Sequence, residues 1–419
     1  KGSLEKLGVD FDIFYAGDFK SATEPLRRTE MSPENRLQSK VFLNDMVGLM
    51  KTEVSKSRKI PLFELDRIMS ELDGRDAKRA LQNKLVDETI YWDEFEARLR
   101  KKVKLDDEEK INYLSLDDYN LLSEMTEEGK YTQKVAVVYA EGDVVYNMSG
   151  KGMIDNNKYL KIFDKIRKDK NIKAVVLRVN SGGGSALTSD IIWREVELLK
   201  AKGIPVIASF GDYAASGGYY IAAGADSIFA SPNTLTGSIG VFSMLPNFKK
   251  LSNDKLGITF DSVKTHAMAV NLSTVYAMSD KEKAYITEST NDIYQQFLSR
   301  VAKGRSMPVD SVHKYAQGRV WTGRTAKEIG LVDEIGYLQE AINAAAKKAK
   351  IADFKVVEYP RIEKSMLEQL VESWAKQQAE EGENAHMNAE MRWLLRLYKE
   401  NKAVWQAEGV QARMLLDIK

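Results

Sequence analysis

The sequence predicts an α/β protein assembled from two copies of one strand-turn-helix unit, with the first copy cut short at its start. Three observations carry that expectation: a long-range self-repeat, short β-branched runs each followed by a glycine turn and helical sequence, and a length of 419 residues, more than one hydrophobic core usually holds. Hydrophobic residues make up 43% and charged residues 29%, a globular rather than a disordered composition.

The repeat is textual. Lys6-Leu7-Gly8 with Phe11-Asp12 returns as Lys255-Leu256-Gly257 with Phe260-Asp261, 249 residues later. Met31-Ser32, Asn44-Asp45, Val54, Lys56, Arg58 and Pro61 return as Met278-Ser279, Asn291-Asp292, Val301, Lys303, Arg305 and Pro308, and Leu85-Val86-Asp87-Glu88 as Leu331-Val332-Asp333-Glu334. The strand-like run 134–139 that opens the second copy would map ahead of Lys1, so the first copy is expected to lack its first half. The expected organisation is therefore residues 1–105 as the carboxy-terminal half of a first domain, 106–133 as a linker rich in Asp and Glu, 134–350 as a complete second domain, and 351–419 as a helical extension. With Lys1 in place of Met, the chain reads as a processed or excised form.

The elements follow from local pattern. Met46, Met50 and Val54 line one helical face in the first copy, and Ile293, Phe297 and Val301 line its equivalent in the second. Residues 173–179 and 204–209 are β-branched runs that read as strands, and 190–201 spaces Ile191, Trp193, Val196, Leu198 and Leu199 as a helix with a buried face does. Strands alternating with helices imply crossover units and parallel pairing. Residues 366–403 read as amphipathic helix with Gly382 as a break.

Composition excludes several chemistries. Lys and Arg number 62 against 61 Asp and Glu, so a net charge of +1 gives no pull on a phosphate backbone and nucleic acid is not an expected partner. Without cysteine there is no disulfide, thiolate nucleophile or cysteine-ligated zinc, and His266, His313 and His386 are the whole histidine complement. No run approaches the roughly 18 apolar residues of a membrane span.

Two glycine-rich turns are the candidate chemistry. Asn180-Ser181-Gly182-Gly183-Gly184-Ser185 ends a strand and opens a helix, where unhindered amides can hold an oxyanion or a phosphate; it lacks the lysine of a nucleotide loop. Ala214-Ala215-Ser216-Gly217-Gly218 follows the next strand and surrounds one serine with small residues, so Ser216 is either an exposed nucleophile or a helix cap. A nucleophilic serine needs a base. His266 is one contender; the other is Lys20, provided burial keeps its amine neutral and the nearby Asp18 and Glu24 face away. In the second copy the position equivalent to Lys20 is Ala267 or Ala269, so one copy carries the lysine and the other the serine.

Gly-x-x-Lys-Ser-Ala-x-Glu-Pro at 17–25, Val179-Asn-Ser-x-Gly-Gly-Ser185, Ala214-Ala-Ser-Gly-Gly-Tyr219 and Thr234-Leu-Thr-Gly-Ser-Ile-Gly240, in that order, resemble the long tandem-domain form of the signal peptide peptidase A family, serine proteases of the ClpP/crotonase-like fold. The resemblance covers residues 1–350 and implies a Ser–Lys dyad: Ser216 as nucleophile, Lys20 as general base, Ser238 as the hydroxyl that orients the lysine, and an oxyanion hole from Gly183 or Gly184 with the Gly217 amide. Gly182 stands where the family commonly has proline. It also implies hydrolysis of residual signal peptides and other short unfolded peptides, no metal or organic cofactor, a homo-oligomer of tetramer type enclosing its sites, and catalytic domains on the outer side of the cytoplasmic membrane, anchored through a segment absent from this chain. Competing readings are an acyl-CoA hydratase or isomerase of the same fold, working through Glu or Asp, and a non-catalytic scaffold.

Overall fold

The computed structural model describes residues 1–106, 109, 111–113, 131–148, 150, 152–270 and 272–360. In chain order the first copy contributes α1 (Gly2–Leu7), β1 (Asp10–Ala16), α2 (Glu24–Arg27), α3 (Pro33–Arg58), α4 (Leu62–Ser70), α5 (Ala77–Gln82) and α6 (Trp92–Val103). The second contributes β2 (Lys134–Val145), β3 (Met153–Asp155), α7 (Asn156–Lys168), β4 (Ile172–Gly184), α8 (Ala186–Ala201), β5 (Val206–Ala215), α9 (Gly217–Ala222), β6 (Ser227–Ala230), β7 (Leu235–Gly237), β8 (Val241–Asn247) and a π-helical turn (Leu251–Lys255). It continues with α10 (Asp280–Arg305), α11 (Val309–Tyr315), β9 (Val320–Thr322), α12 (Gly323–Glu328), β10 (Glu334–Ile335), α13 (Leu338–Lys348) and β11 (Lys355–Tyr359).

A nine-stranded sheet runs β10-β6-β5-β4-β2-β11, and every pair along that path is parallel. Both faces are covered, which is why its strands read as unbroken apolar runs rather than alternating ones. Ala136, Val138, Val175, Leu177, Val179 and Phe210 face the larger core with Phe163, Ile192, Val196 and Phe297. Val135, Val137, Ala174, Val176 and Ile207 face the other way, against Ala341, Ile342, Ala345 and Ala346 of α13. β11 falls in the stretch expected to be a helical extension; its Lys355 to Tyr359 instead pair in register with Lys134 to Val138 of β2. The rest of that extension, 361–419, lies outside the described residues, as does 114–130 of the expected linker.

The repeat extends to backbone geometry. α3 and α10 are each 26 residues long, 247 positions apart, start from serine caps (Ser32 and Ser279) that accept from a first-turn amide, and end at left-handed residues Lys59 and Ser306. α5 and α12 are each six residues long, and α1 matches the π-helical turn at 251.

The copies differ in one connection that positions the site. β1, from the first copy, pairs antiparallel with β8 of the second, Ala16 opposite Val241 and Asp10 opposite Asn247. Its counterpart in the second copy, residues 259–265, forms no strand, and Val263 there is fully exposed.

Candidate active site

Three strand ends converge. β5 and β7 are parallel neighbours with Ala215 beside Gly237, so the next residues, Ser216 and Ser238, emerge side by side. The antiparallel β1–β8 ribbon ends at Ala16 and begins at Val241, which brings the loop after β1, with Lys20, to the same end as Ser238. A pairing across more than 190 residues of sequence thus assembles one cluster.

Lys20 Nζ lies 3.0 Å from Ser216 Oγ, 3.0 Å from Ser238 Oγ and 3.0 Å from the Ser238 carbonyl oxygen. Lys20 is 4% exposed, and burial lowers its pKa from the ordinary 10.5 to about 8. Neither nearby carboxylate offsets this. Asp18 is exposed, and Glu24 is turned toward Ser32 and Asn35, accepting from Ser32 Oγ at 2.5 Å, Asn35 Nδ2 at 2.8 Å and the Ser32 amide at 3.3 Å. Burial pushes the Glu24 carboxyl up, and those hydrogen bonds outweigh it and hold the pKa below the usual value.

Both serines sit at strained backbone. Ser216 has φ 53° and ψ −121°, and Ser238 has φ 48°, in the region that L-residues avoid. The surroundings over-determine them: the Ser216 amide donates to the Gly237 carbonyl at 2.9 Å, its carbonyl accepts from the Tyr220 amide at 2.9 Å, and the Ser238 amide donates to the Arg319 carbonyl at 2.7 Å. Ser216 therefore stands at the N-cap position of α9 with no side-chain capping bond, and its hydroxyl is left to face Lys20. Gly217 follows as the first residue of α9, where an amide has no acceptor within the helix.

The glycine turn packs against that corner. Gly183 has φ 96°, and a methyl there would lie 2.4 Å from Gly217 N and 3.0 Å from Ser216 Cβ. The Gly183 amide donates to Ser181 Oγ at 3.1 Å, while Gly184 N lies 3.1 Å from where a Gly217 methyl would be. Gly183→Ala should therefore slow reaction at Ser216 by at least about 100-fold, since a displacement near 1 Å costs that much in an aligned site; the rate at which a fluorophosphonate modifies Ser216 checks it.

Of the residues named from sequence, Lys20, Ser216, Ser238, Gly183, Gly184 and Gly217 come together. The alternative base does not join them: His266 is exposed and bonds Thr265 Oγ1 beside it at 3.1 Å. His313 bonds Tyr294 and Gln317. The sequence motif includes Ser181 without assigning it a role; it is fully buried, and its Oγ donates to the Gly142 carbonyl at 2.6 Å and so fixes the turn, whereas Gln38, also buried, escaped sequence reasoning altogether. A comparison of the two copies offers a signal for Gln38, whose equivalent is the exposed Tyr285.

The profile of Peptidase family S49 matches residues 1–106 and 198–352. The chain is 37% identical over 356 residues to Protease 4 of Haemophilus influenzae, an alignment covering 82% of this chain and 57% of that protein. It is 34% identical over 383 residues to Protease 4 of Salmonella typhi, covering 89% and 60%. It is 36% identical over 253 residues to a protein of Enterococcus faecium named putative signal peptide peptidase SppA, covering 59% and 73%. The chain thus spans a little over half the length of the two Protease 4 relatives.

Proposed function

Because this chain belongs to peptidase family S49, matched over more than half its residues, we propose that it is a serine endopeptidase working through a Ser–Lys dyad. The observation that carries this reading is the buried Lys20 amine 3.0 Å from the Ser216 hydroxyl.

With its pKa lowered to about 8, a usable fraction of Lys20 is neutral near pH 7 to 8. Ser216 Oγ attacks the scissile carbonyl as its proton passes to Lys20 Nζ. The resulting Lys20 ammonium hands the proton to the leaving amine, and the neutral Lys20 amine so regenerated then deprotonates the water that releases the acyl group. The Gly217 amide with that of Gly184 holds the oxyanion, because the Gly183 amide already donates to Ser181 Oγ. Ser238 supplies Lys20 with a second hydroxyl and a carbonyl, fixing the direction of its lone pair. Ser238→Ala should keep the carbonyl contact and lose the hydroxyl, so kcat should fall about 10- to 100-fold with KM within threefold; an unchanged kcat removes Ser238 from the mechanism.

The substrates are residual signal peptides and other short unfolded peptides, a reading supported by the name of the Enterococcus relative. The working protein is a membrane-associated oligomer, of tetramer type, with its sites on the outer side of the cytoplasmic membrane. Among the described residues no helix is long and apolar enough to cross a membrane. The repeat supports assembly: β1 of one copy pairs with β8 of the other, so two similar units already interlock through main-chain hydrogen bonds. No metal or organic cofactor is part of the reading.

The test is labelling by a fluorophosphonate together with hydrolysis of an apolar peptide. Modification should map to Ser216; labelling elsewhere, or acyl-CoA turnover in its place, overturns the assignment.

A further inference from the structure

The base and the nucleophile come from different copies, so their alignment depends on what joins the copies near Lys20. Gln38 on α3 is 3% exposed. Its Nε2 donates to the Phe19 carbonyl at 3.1 Å and to Ser21 Oγ at 3.1 Å, the residues on either side of Lys20, with Asn35 Oδ1 at 3.3 Å. Its Oε1 accepts from the Val320 amide of β9, in the second copy, at 3.1 Å. The turn just before β9 completes the seat: the Gln317 carbonyl accepts from the Phe19 amide at 2.8 Å, the Arg319 carbonyl accepts from the Ser238 amide, and a methyl on Gly318 would lie 2.7 Å from Lys20 Cβ.

We propose that Gln38 is the positioning residue of the dyad: its side-chain amide clamps the Lys20 loop of the first copy to the strand of the second copy that follows the Ser238-binding turn. This rests on the Ser–Lys reading given above. The clamp needs donors at one end and an acceptor at the other, which Gln supplies. Glu cannot donate to the Phe19 carbonyl, and Met can do neither. The equivalent position in the second copy, 247 residues later, is Tyr285, on the copy whose lysine equivalent is alanine; glutamine and lysine occur together in one copy and are both replaced in the other.

The experiment compares Gln38→Met and Gln38→Glu with the unaltered protein and Lys20→Arg, recording kcat and KM for one peptide from pH 6 to 10 with thermal melts of each. Gln38→Met should lower kcat about 10- to 100-fold with KM within threefold. The rising limb should move to higher pH, because a loosened loop lets water reach the amine. Gln38→Glu should move that limb further, since a buried carboxylate favours the ammonium. Lys20→Arg should be inactive. Wild-type kcat and limb in Gln38→Met overturn the proposal. So does a fall in kcat with the limb unmoved in both variants, or failure of both to fold, since either assigns Gln38 a merely structural role. Should Gln38→Met alone fail to fold, Gln38→Glu, which keeps the volume and the contact to Val320, decides by the same limb. An active Lys20→Arg instead overturns the dyad reading itself, whatever Gln38 does.

Discussion

Ser216→Ala should abolish peptide hydrolysis, with a loss on the order of 10⁴- to 10⁶-fold in kcat, while the protein melts within a few degrees of the parent. The loss is large because no neighbouring hydroxyl can substitute: Ser238 shares the lysine, yet its amide is tied to Arg319 and its φ of 48° fixes where its side chain projects. The stability cost is small because Ala adopts the Ser216 backbone no less readily than Ser, and Lys20 retains two contacts at Ser238. Residual activity of even a tenth in a purified variant, free of contaminating protease, would remove Ser216 from the reaction.

Lys20→Arg should be equally inactive, since a guanidinium cannot be deprotonated at usable pH and cannot serve as a base. A lysine acting only by its charge would tolerate the change. In the unaltered protein, kcat/KM should rise with pH through an apparent pKa near 8, the value to which burial lowers Lys20, rather than near 10.5. The charged groups around it leave burial dominant: Asp18 is exposed, Glu24 is engaged with Ser32 and Asn35, Arg27 donates to the Lys20 carbonyl at 3.3 Å, and Arg319 stacks on Phe19 at 4.9 Å. The same shift sets a stability trend. The unfolded chain binds the Lys20 proton more tightly than the folded one, so the buried ammonium costs stability below about pH 8, and stability from this group rises between about 8 and 10.5. The stability of the unaltered protein relative to Lys20→Met should therefore improve as pH rises from about 8 to 10.5, which thermal melts of the two across that range check. A limb near 8 that survives Lys20→Arg would sink the assignment.

Much of this was written in the sequence. Parallel strands buried on both faces leave continuous β-branched runs such as 173–179, and crossover helices leave a 3.6-residue period, so the α/β class follows from local pattern. The internal repeat made each copy a control for the other, which singled out Lys20, where the second copy has alanine. Small residues around Ser216 were legible because close approach of backbone excludes a Cβ, a purely local demand that Gly217 and Gly183 meet. What no local pattern encodes is which distant segments meet. That β1 would pair with β8, and not with a strand nearer in sequence, decides that Lys20 reaches Ser216; alternation of side chains is satisfied by any partner of the right polarity. Gln38 looked like one polar residue on a long helix and became buried because that helix packs across β9. β11 read as part of a helical extension until the exposed edge of β2 offered it main-chain partners. The burial that lowers the Lys20 pKa belongs to the same class: the residue type supplies the amine, and only the closing of one copy over the other removes the water that would keep it charged.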